Sequence, residues 1–264
     1  MPIEFGAKIA QLDEDDFKAT VYETMRAVFD VHNELGRLFD EKIYQRELAF
    51  RLEHAQAEVP INVIFQDFRK TYHLDLLVDG GALFELKAAA SLTDRHRGQL
   101  LNYLSLAGLP HGKLVNLRPE RVEHEFVNNP LSFEDRKSFT VTDQGWREDE
   151  TAALKEGMIA VLRDWGTGLD LGLYEEAAAY LCGQMPDAET DVEIRLNGRC
   201  LGVQRMRLAA PGVALRITAI AAEYQRDFEA HLCRLLDHTN LHAVQWINVC
   251  RSLVQFQTVQ KTGK

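Results

Sequence analysis

Between His73 and Lys87 the sequence reads HLDLLVDGGALFELK, and it holds two carboxylates and an ammonium at spacings that could serve one reaction. Alternation on either side of Asp79-Gly80-Gly81 predicts two strands joined by a three-residue hairpin loop, in which a glycine takes the positive φ such loops need. That loop length sets Asp75 directly opposite Glu85 on one face, with Lys87 one pleat further on. Opposed carboxylates repel, so a fold that keeps them together needs positive charge between them. Hard oxygen donors suit Mg²⁺ or Mn²⁺, and a lysine beside such a cation orients a water or stabilises charge developing on a phosphate. The plainer alternative is an ordinary solvated hairpin face on which the lysine alone neutralises the acids.

The elements that must position this hairpin are legible on both sides of it. Residues 14–35 place Phe17, Val21, Met25, Val28, Phe29 and Leu35 at helical spacing after an acidic start that suits a helix N-terminus. Gly36 ends that helix, and a second is expected from about Asp40 to Glu53. Val59–Phe65 is rich in β-branched residues and predicts a strand leading into the hairpin. A helix from about Thr93 to Leu106 follows, with Gln99 and Tyr103 four residues apart on one face, and then a strand over Lys113–Leu117. The fold class is α/β: helices, a three-stranded antiparallel meander, a helix and a strand.

In that order, Gly36–Tyr44 (GRLFDEKIY), Asp75, Glu85-Leu86-Lys87 and Gln99–Tyr103 (QLLNY) resemble the GxxExxY branch of the PD-(D/E)XK nuclease superfamily, which is RecB-like, over roughly residues 20–120. The resemblance implies a restriction-endonuclease-like core and a Mg²⁺- or Mn²⁺-dependent phosphodiesterase acting on nucleic acid, with DNA expected before RNA. It makes Asp75 and Glu85 metal ligands, Lys87 the water-orienting group and Glu41 an additional acid near the metal. Gln99 and Tyr103 become the QxxxY element beside the site, and His32 falls where some RecB-like relatives have a metal-binding histidine. Leu38 departs from the pattern, standing where the motif has its glycine. A rival class is a non-catalytic nucleic-acid or protein-binding module that keeps the nuclease fold.

Composition bounds these readings. The chain of 264 residues is 46% hydrophobic, enough for a substantial core. It has no run of 18 apolar residues and an acidic start without an apolar signal core, so a cytoplasmic protein without a membrane partner is expected. The net charge of −10 is spread evenly and there is no basic arm, which argues against indiscriminate binding to duplex nucleic acid. Cys182, Cys200, Cys233 and Cys250 form no C-x-x-C pair, so buried free thiols are expected rather than an iron–sulfur cluster.

The second half reads as a copy of the first without its chemistry. Trp165–Tyr174 aligns with Leu35–Tyr44, and Leu241–Val249 aligns with Leu109–Leu117. Between them VQRMRLAAPGVALRITAI stands in the place of the hairpin, so that Asp75 becomes Arg207, Glu85 becomes Arg216, Lys87 becomes Thr218, Glu41 becomes Leu171 and Gln99 becomes His231. A guanidinium cannot ligate Mg²⁺, so Arg207 and Arg216 are candidates for holding a phosphate backbone instead. The expected layout is residues 1–130 as the nuclease-like domain, 131–150 as a connector and 151–264 as the degenerate repeat. The two copies are expected to form a pseudo-dimer, with a homo-oligomer or larger nucleoprotein assembly as a further possibility.

Overall fold

The structure, a computed structural model, describes residues 3–147, 153–185 and 188–261. The last residues of the expected connector and the first of the expected repeat, 148–152, lie outside the described residues. The chain divides into two units, Met1–Phe133 and Glu134–Lys264.

The first unit runs β1 (Ile3–Phe5), α1 (Glu14–Leu35), α2 (Glu41–Arg51), β2 (Ala55–Phe65), β3 (Phe68–Val78), β4 (Ala82–Lys87), α3 (Asp94–Ala107), β5 (His111–Asn116) and β6 (Glu123–Asn128). The six strands form one sheet in chain order. All neighbours are antiparallel except β4 and β5, which are parallel because α3 carries the chain back between them. Two of these strands lie outside those expected from the sequence: β1, and β6, which follows the last expected strand of this domain, Lys113–Leu117. Both are edge strands, held by backbone pairing and little burial, so hydrophobic alternation does not mark them.

Asp13 caps α1 by accepting the Asp16 N–H at 2.9 Å, and Glu14, Asp15 and Asp16 complement the positive end of its dipole. One face of α1 buries Val21, Met25, Val28 and Val31 together with Tyr44 and Leu48 of α2 against Leu76, Val78, Phe84 and Leu86 of the hairpin. Each such side chain contributes about 1.5–3 kcal/mol of apolar burial. The alternation that sends Phe84 and Leu86 into this cluster sends Glu85 and Lys87 to the opposite face of β4. The pairs Val78↔Ala82, Leu77↔Leu83 and Leu76↔Phe84 enclose the three-residue loop, and the next step of that register sets Asp75 beside Glu85. Gly80 in this loop has φ +69, and a Cβ there would meet the Lys8 carbonyl oxygen at 2.8 Å.

The second unit begins around α4 (Phe133–Lys137) and continues through β7 (Thr140–Asp143), α5 (Leu154–Trp165), α6 (Leu171–Leu181), β8 (Thr190–Leu196), β9 (Arg199–Met206), β10 (Leu208–Ala210), β11 (Val213–Thr218), α7 (Ala222–Asp237), β12 (Ala243–Val249) and β13 (Leu253–Gln260). Its main sheet has the order β10-β11-β12-β13-β7, and β8 and β9 make a separate two-stranded sheet. As in β3-β4-β5-β6, the steps β10-β11-β12-β13 are antiparallel, parallel and antiparallel. Leu232 and Leu236 of α7 pack with Ala214, Val244 and Trp246. The stretch expected as a connector with a short strand at Ser138–Val141 contains α4 and β7, and β7, shifted two residues along, pairs in parallel with β13. All four β7 residues are exposed, which is why their sequence resembles a linker.

Candidate active site

The polar face of the hairpin gathers around the Lys87 ammonium. Its Nζ lies 2.6 Å from Glu85 Oε1, 3.4 Å from Asp75 Oδ2 and 3.6 Å from Glu41 Oε2, and it donates to the Leu86 carbonyl at 2.7 Å. Asp75 Oδ2 also accepts the Leu86 N–H at 2.8 Å, which ties the aspartate to the neighbouring strand. Asp75, Glu85 and Lys87 are all buried, Glu85 completely. Glu41 enters from the first turn of α2, where Gln45 Nε2 lies 3.5 Å from its Oε1.

Burial and mutual repulsion set the electrostatics. Desolvation first and Asp75 second push the Glu85 carboxyl up to about 8. Asp75 is raised by burial, and Glu41 by burial and then by Asp75. Burial opposes the charge on Lys87, but Glu85 and Asp75 outweigh it and its pKa lies above the ordinary lysine value. The ammonium therefore stays charged while the acids around it compete for protons.

Tyr103 stands beside this cluster. Its hydroxyl accepts from Gln99 Nε2 at 3.1 Å, and burial raises its pKa, with Glu85 and Asp75 adding to the rise. The Tyr72 ring meets it edge to face at a centroid distance of 5.8 Å. The α3 spacing of four residues thus sets Gln99 and Tyr103 together, and Tyr103 within the field of the carboxylates. His32 is engaged elsewhere: its Nε2 lies 3.2 Å from the Pro119 carbonyl oxygen, so a ring N–H there has a backbone acceptor. The Leu38 departure leaves Glu41 in reach of Lys87, because Gly36 supplies the left-handed φ of +73 that ends α1 while Leu38 points into solvent.

Two residues near the site escaped the sequence reading. His96, in the first turn of α3, has its pKa lowered by burial and by the Lys87 charge, and its Nδ1 accepts the Thr93 N–H at 3.3 Å. Glu58 adds to the raised pKa of both Glu41 and Asp75. It lies in β2 between the pairs Ala57↔Leu76 and Val59↔Leu74, level with Asp75. The strand expected from Val59 begins one residue after it, whereas β2 extends back to Ala55, and the register counted back from the tight turn at Gln66-Asp67 leads to Glu58.

The donor set fits a divalent cation in kind. Three carboxylates converge on one point, and Glu85 Oε2 is buried and accepts no hydrogen bond among the described residues. As they stand, the acids close on the ammonium rather than on each other: among the described residues no three or more His, Cys, Asp or Glu side chains are grouped to hold a metal.

In the second unit Arg216 pairs with Trp246 and Thr218 with Asn248, as Glu85 pairs with Leu114 and Lys87 with Asn116 in the first. The expected match of Asp75 with Arg207 is displaced by one residue. Leu208 pairs with Ala214 and the ladder is irregular between Leu208 and Ala210, so Met206 rather than Arg207 falls level with Arg216. Arg207 is only nine positions before Arg216 whereas Asp75 is ten before Glu85, so the expected match drops one residue from the hairpin, and the ladder irregularity restores it. Both arginines lie near Glu175 of α6, a half-buried acid whose pKa burial raises and whose charge Arg207 and Arg216 favour.

Among the described residues no helix is long and apolar enough to cross a membrane. No curated protein matches the chain. A solved structure titled "Crystal structure of SSO0001" is 20% identical, with 45% of this chain and 60% of that one covered and a TM-score of 0.26. The match therefore spans less than two thirds of that structure's length. Residues 18–129, which carry the whole of the Glu41, Asp75, Glu85, Lys87, Gln99 and Tyr103 constellation, match the model of the PD-(D/E)XK nuclease superfamily.

Proposed function

We propose that residues 18–129 form a metal-dependent nuclease site that hydrolyses phosphodiester bonds of nucleic acid, DNA in the first instance. The observation that carries this reading is the convergence of Glu41, Asp75 and Glu85 on Lys87, within the segment that matches the nuclease family model. Asp75, Glu85 and Glu41 would hold Mg²⁺ or Mn²⁺, which when bound supplies a hydroxide-like nucleophile at neutral pH and a counter-charge for the phosphate. Lys87 remains protonated and offers N–H donors to orient a water or a phosphoryl oxygen at the same point. Tyr103 accepts from Gln99, which leaves its O–H to donate to the substrate.

We propose further that the second unit is a copy that has lost this chemistry, and a substrate-holding role for Arg207 and Arg216 is part of that proposal. Three features support it. The strand directions of the two sheets repeat. The Tyr44 hydroxyl donates to the Gly36 carbonyl at 2.8 Å and accepts the Phe39 N–H at 3.3 Å, and Tyr174 makes the same pair with Gly166 and Leu169 at 2.6 and 3.2 Å. The Asn116 side chain brackets the Ala89 backbone N–H and C=O, as Asn248 does those of Ile220.

A second reading, a binding module without catalysis, draws on the Lys87 ammonium, which already neutralises part of the acidic cluster. Cleavage separates the two. With Mn²⁺ the protein should cut a panel of single- and double-stranded DNA and RNA in at least one member, and Glu85→Ala and Lys87→Ala should each lower the rate by about a hundredfold or more with unchanged circular dichroism. No cleavage with either metal, together with no Glu85-dependent Mn²⁺ binding in calorimetry, would remove the enzyme reading.

A further inference from the structure

We propose that Glu58 is a fourth carboxylate of this site and sets its affinity for divalent cations, an inference that rests on the metal-dependent reading above. Among the described residues, four non-glycine residues besides Glu58 have positive φ: Gln66, Asp79 and Asn197 sit in hairpin turns and Ala153 caps α5. Glu58 alone among the described non-glycine residues takes this conformation, φ +53, inside a strand. Left-handed backbone at a residue with a Cβ costs about 1–2 kcal/mol. The register does not need it, because the pairs on either side, Ala57↔Leu76 and Val59↔Leu74, keep the same count and no residue is inserted.

What the distortion accomplishes is placement. Glu58 is level with Asp75, and Asp75 is one register step beyond Leu76↔Phe84 and so level with Glu85, giving a row of three acids across β2, β3 and β4. Glu58 Oε2 reaches to 3.8 Å from Lys42 Nζ, the residue next to Glu41 in the first turn of α2. Its charge bears on both Glu41 and Asp75. The Lys42 pair is 67% and 42% exposed, so it is a weak claim on the carboxylate. The buried Oε2 of Glu85, which accepts no hydrogen bond among the described residues, belongs to the same row and calls for a cation rather than for another acid. A strained acid added to three others is costly for the metal-free fold and useful once a divalent cation offsets the repulsion.

Calorimetric titration with Mn²⁺ alone, nucleic acid absent, tests this on the full chain. Glu58→Asn and Glu58→Gly remove the carboxylate and both tolerate left-handed backbone, so each should keep or raise the thermal midpoint. Each should weaken Mn²⁺ binding by about ten- to a hundredfold, and Glu85→Gln should abolish it. If Glu85→Gln abolishes binding while both Glu58 variants bind within twofold of the parent, Glu58 is not part of the site and the metal-dependent reading survives. If the parent itself binds no Mn²⁺, that reading fails and the role of Glu58 goes with it.

Discussion

Glu85 gives the metal-free first unit a pH dependence of definite sign. Its carboxyl rises from 4.5 to about 8 on folding, through burial first and Asp75 second. The folded state therefore favours the protonated acid: this contribution to stability is fully present below about pH 4.5 and is lost as the pH rises through about 8. A tenfold change in proton affinity is about 1.4 kcal/mol, so ionising Glu85 across that window removes on the order of 5 kcal/mol from the first unit. Asp75 and Glu41 are raised too and add to the same slope. Lys87 is raised as well, so its contribution persists across the window and is lost only above its ordinary value. Glu85→Gln keeps the shape and an acceptor for Lys87 but removes the titration. In chelator, urea unfolding followed by far-ultraviolet circular dichroism should show the parent losing stability from pH 5 to pH 9 and the variant losing much less, with the variant the more stable at the alkaline end. Trp146, Trp165 and Trp246 all lie in the second unit, so their fluorescence supplies a control for residues 134–264. Parallel pH profiles for parent and variant would refute the claim that the buried Glu85 carboxylate dominates this slope.

The paired tyrosines predict a matched loss of stability. Tyr44→Phe and Tyr174→Phe each strand a backbone carbonyl and an N–H that the hydroxyl now serves, and each should cost about 1–3 kcal/mol, read by circular dichroism for the first and by tryptophan fluorescence for the second. A negligible effect at both would detach this motif from the folding of the loops before α2 and α6. If the second unit holds substrate, Arg207→Gln with Arg216→Gln should weaken nucleic-acid binding and reduce the magnitude of its salt-dependence slope by about two contacts, with Mn²⁺ binding unchanged. An unaltered slope would leave these arginines as partners of Glu175 and the second unit as a scaffold.

Local sequence determined what local physics controls. Alternation and a three-residue loop set Asp75 level with Glu85, helical spacing joined Gln99 to Tyr103, and an acidic start followed by periodic apolar residues marked α1. Each depends on residues near one another in the chain, where the periods of strand and helix leave little choice. Tertiary structure alone decided the rest. It set Glu41, which the sequence placed near the site only through the resemblance, 3.6 Å from Lys87, and it turned His32 to the Pro119 carbonyl. It recruited β1 and β6 to sheet edges, where pairing through the backbone asks nothing of the side chains. The irregular β10–β11 ladder leaves Met206, not Arg207, level with Arg216, because a slip of one residue exchanges the faces of a strand. Glu58 belongs to the same class: a left-handed residue inside a strand has no local signature when its side chain is a common acid, and only the assembled sheet brings it level with Asp75.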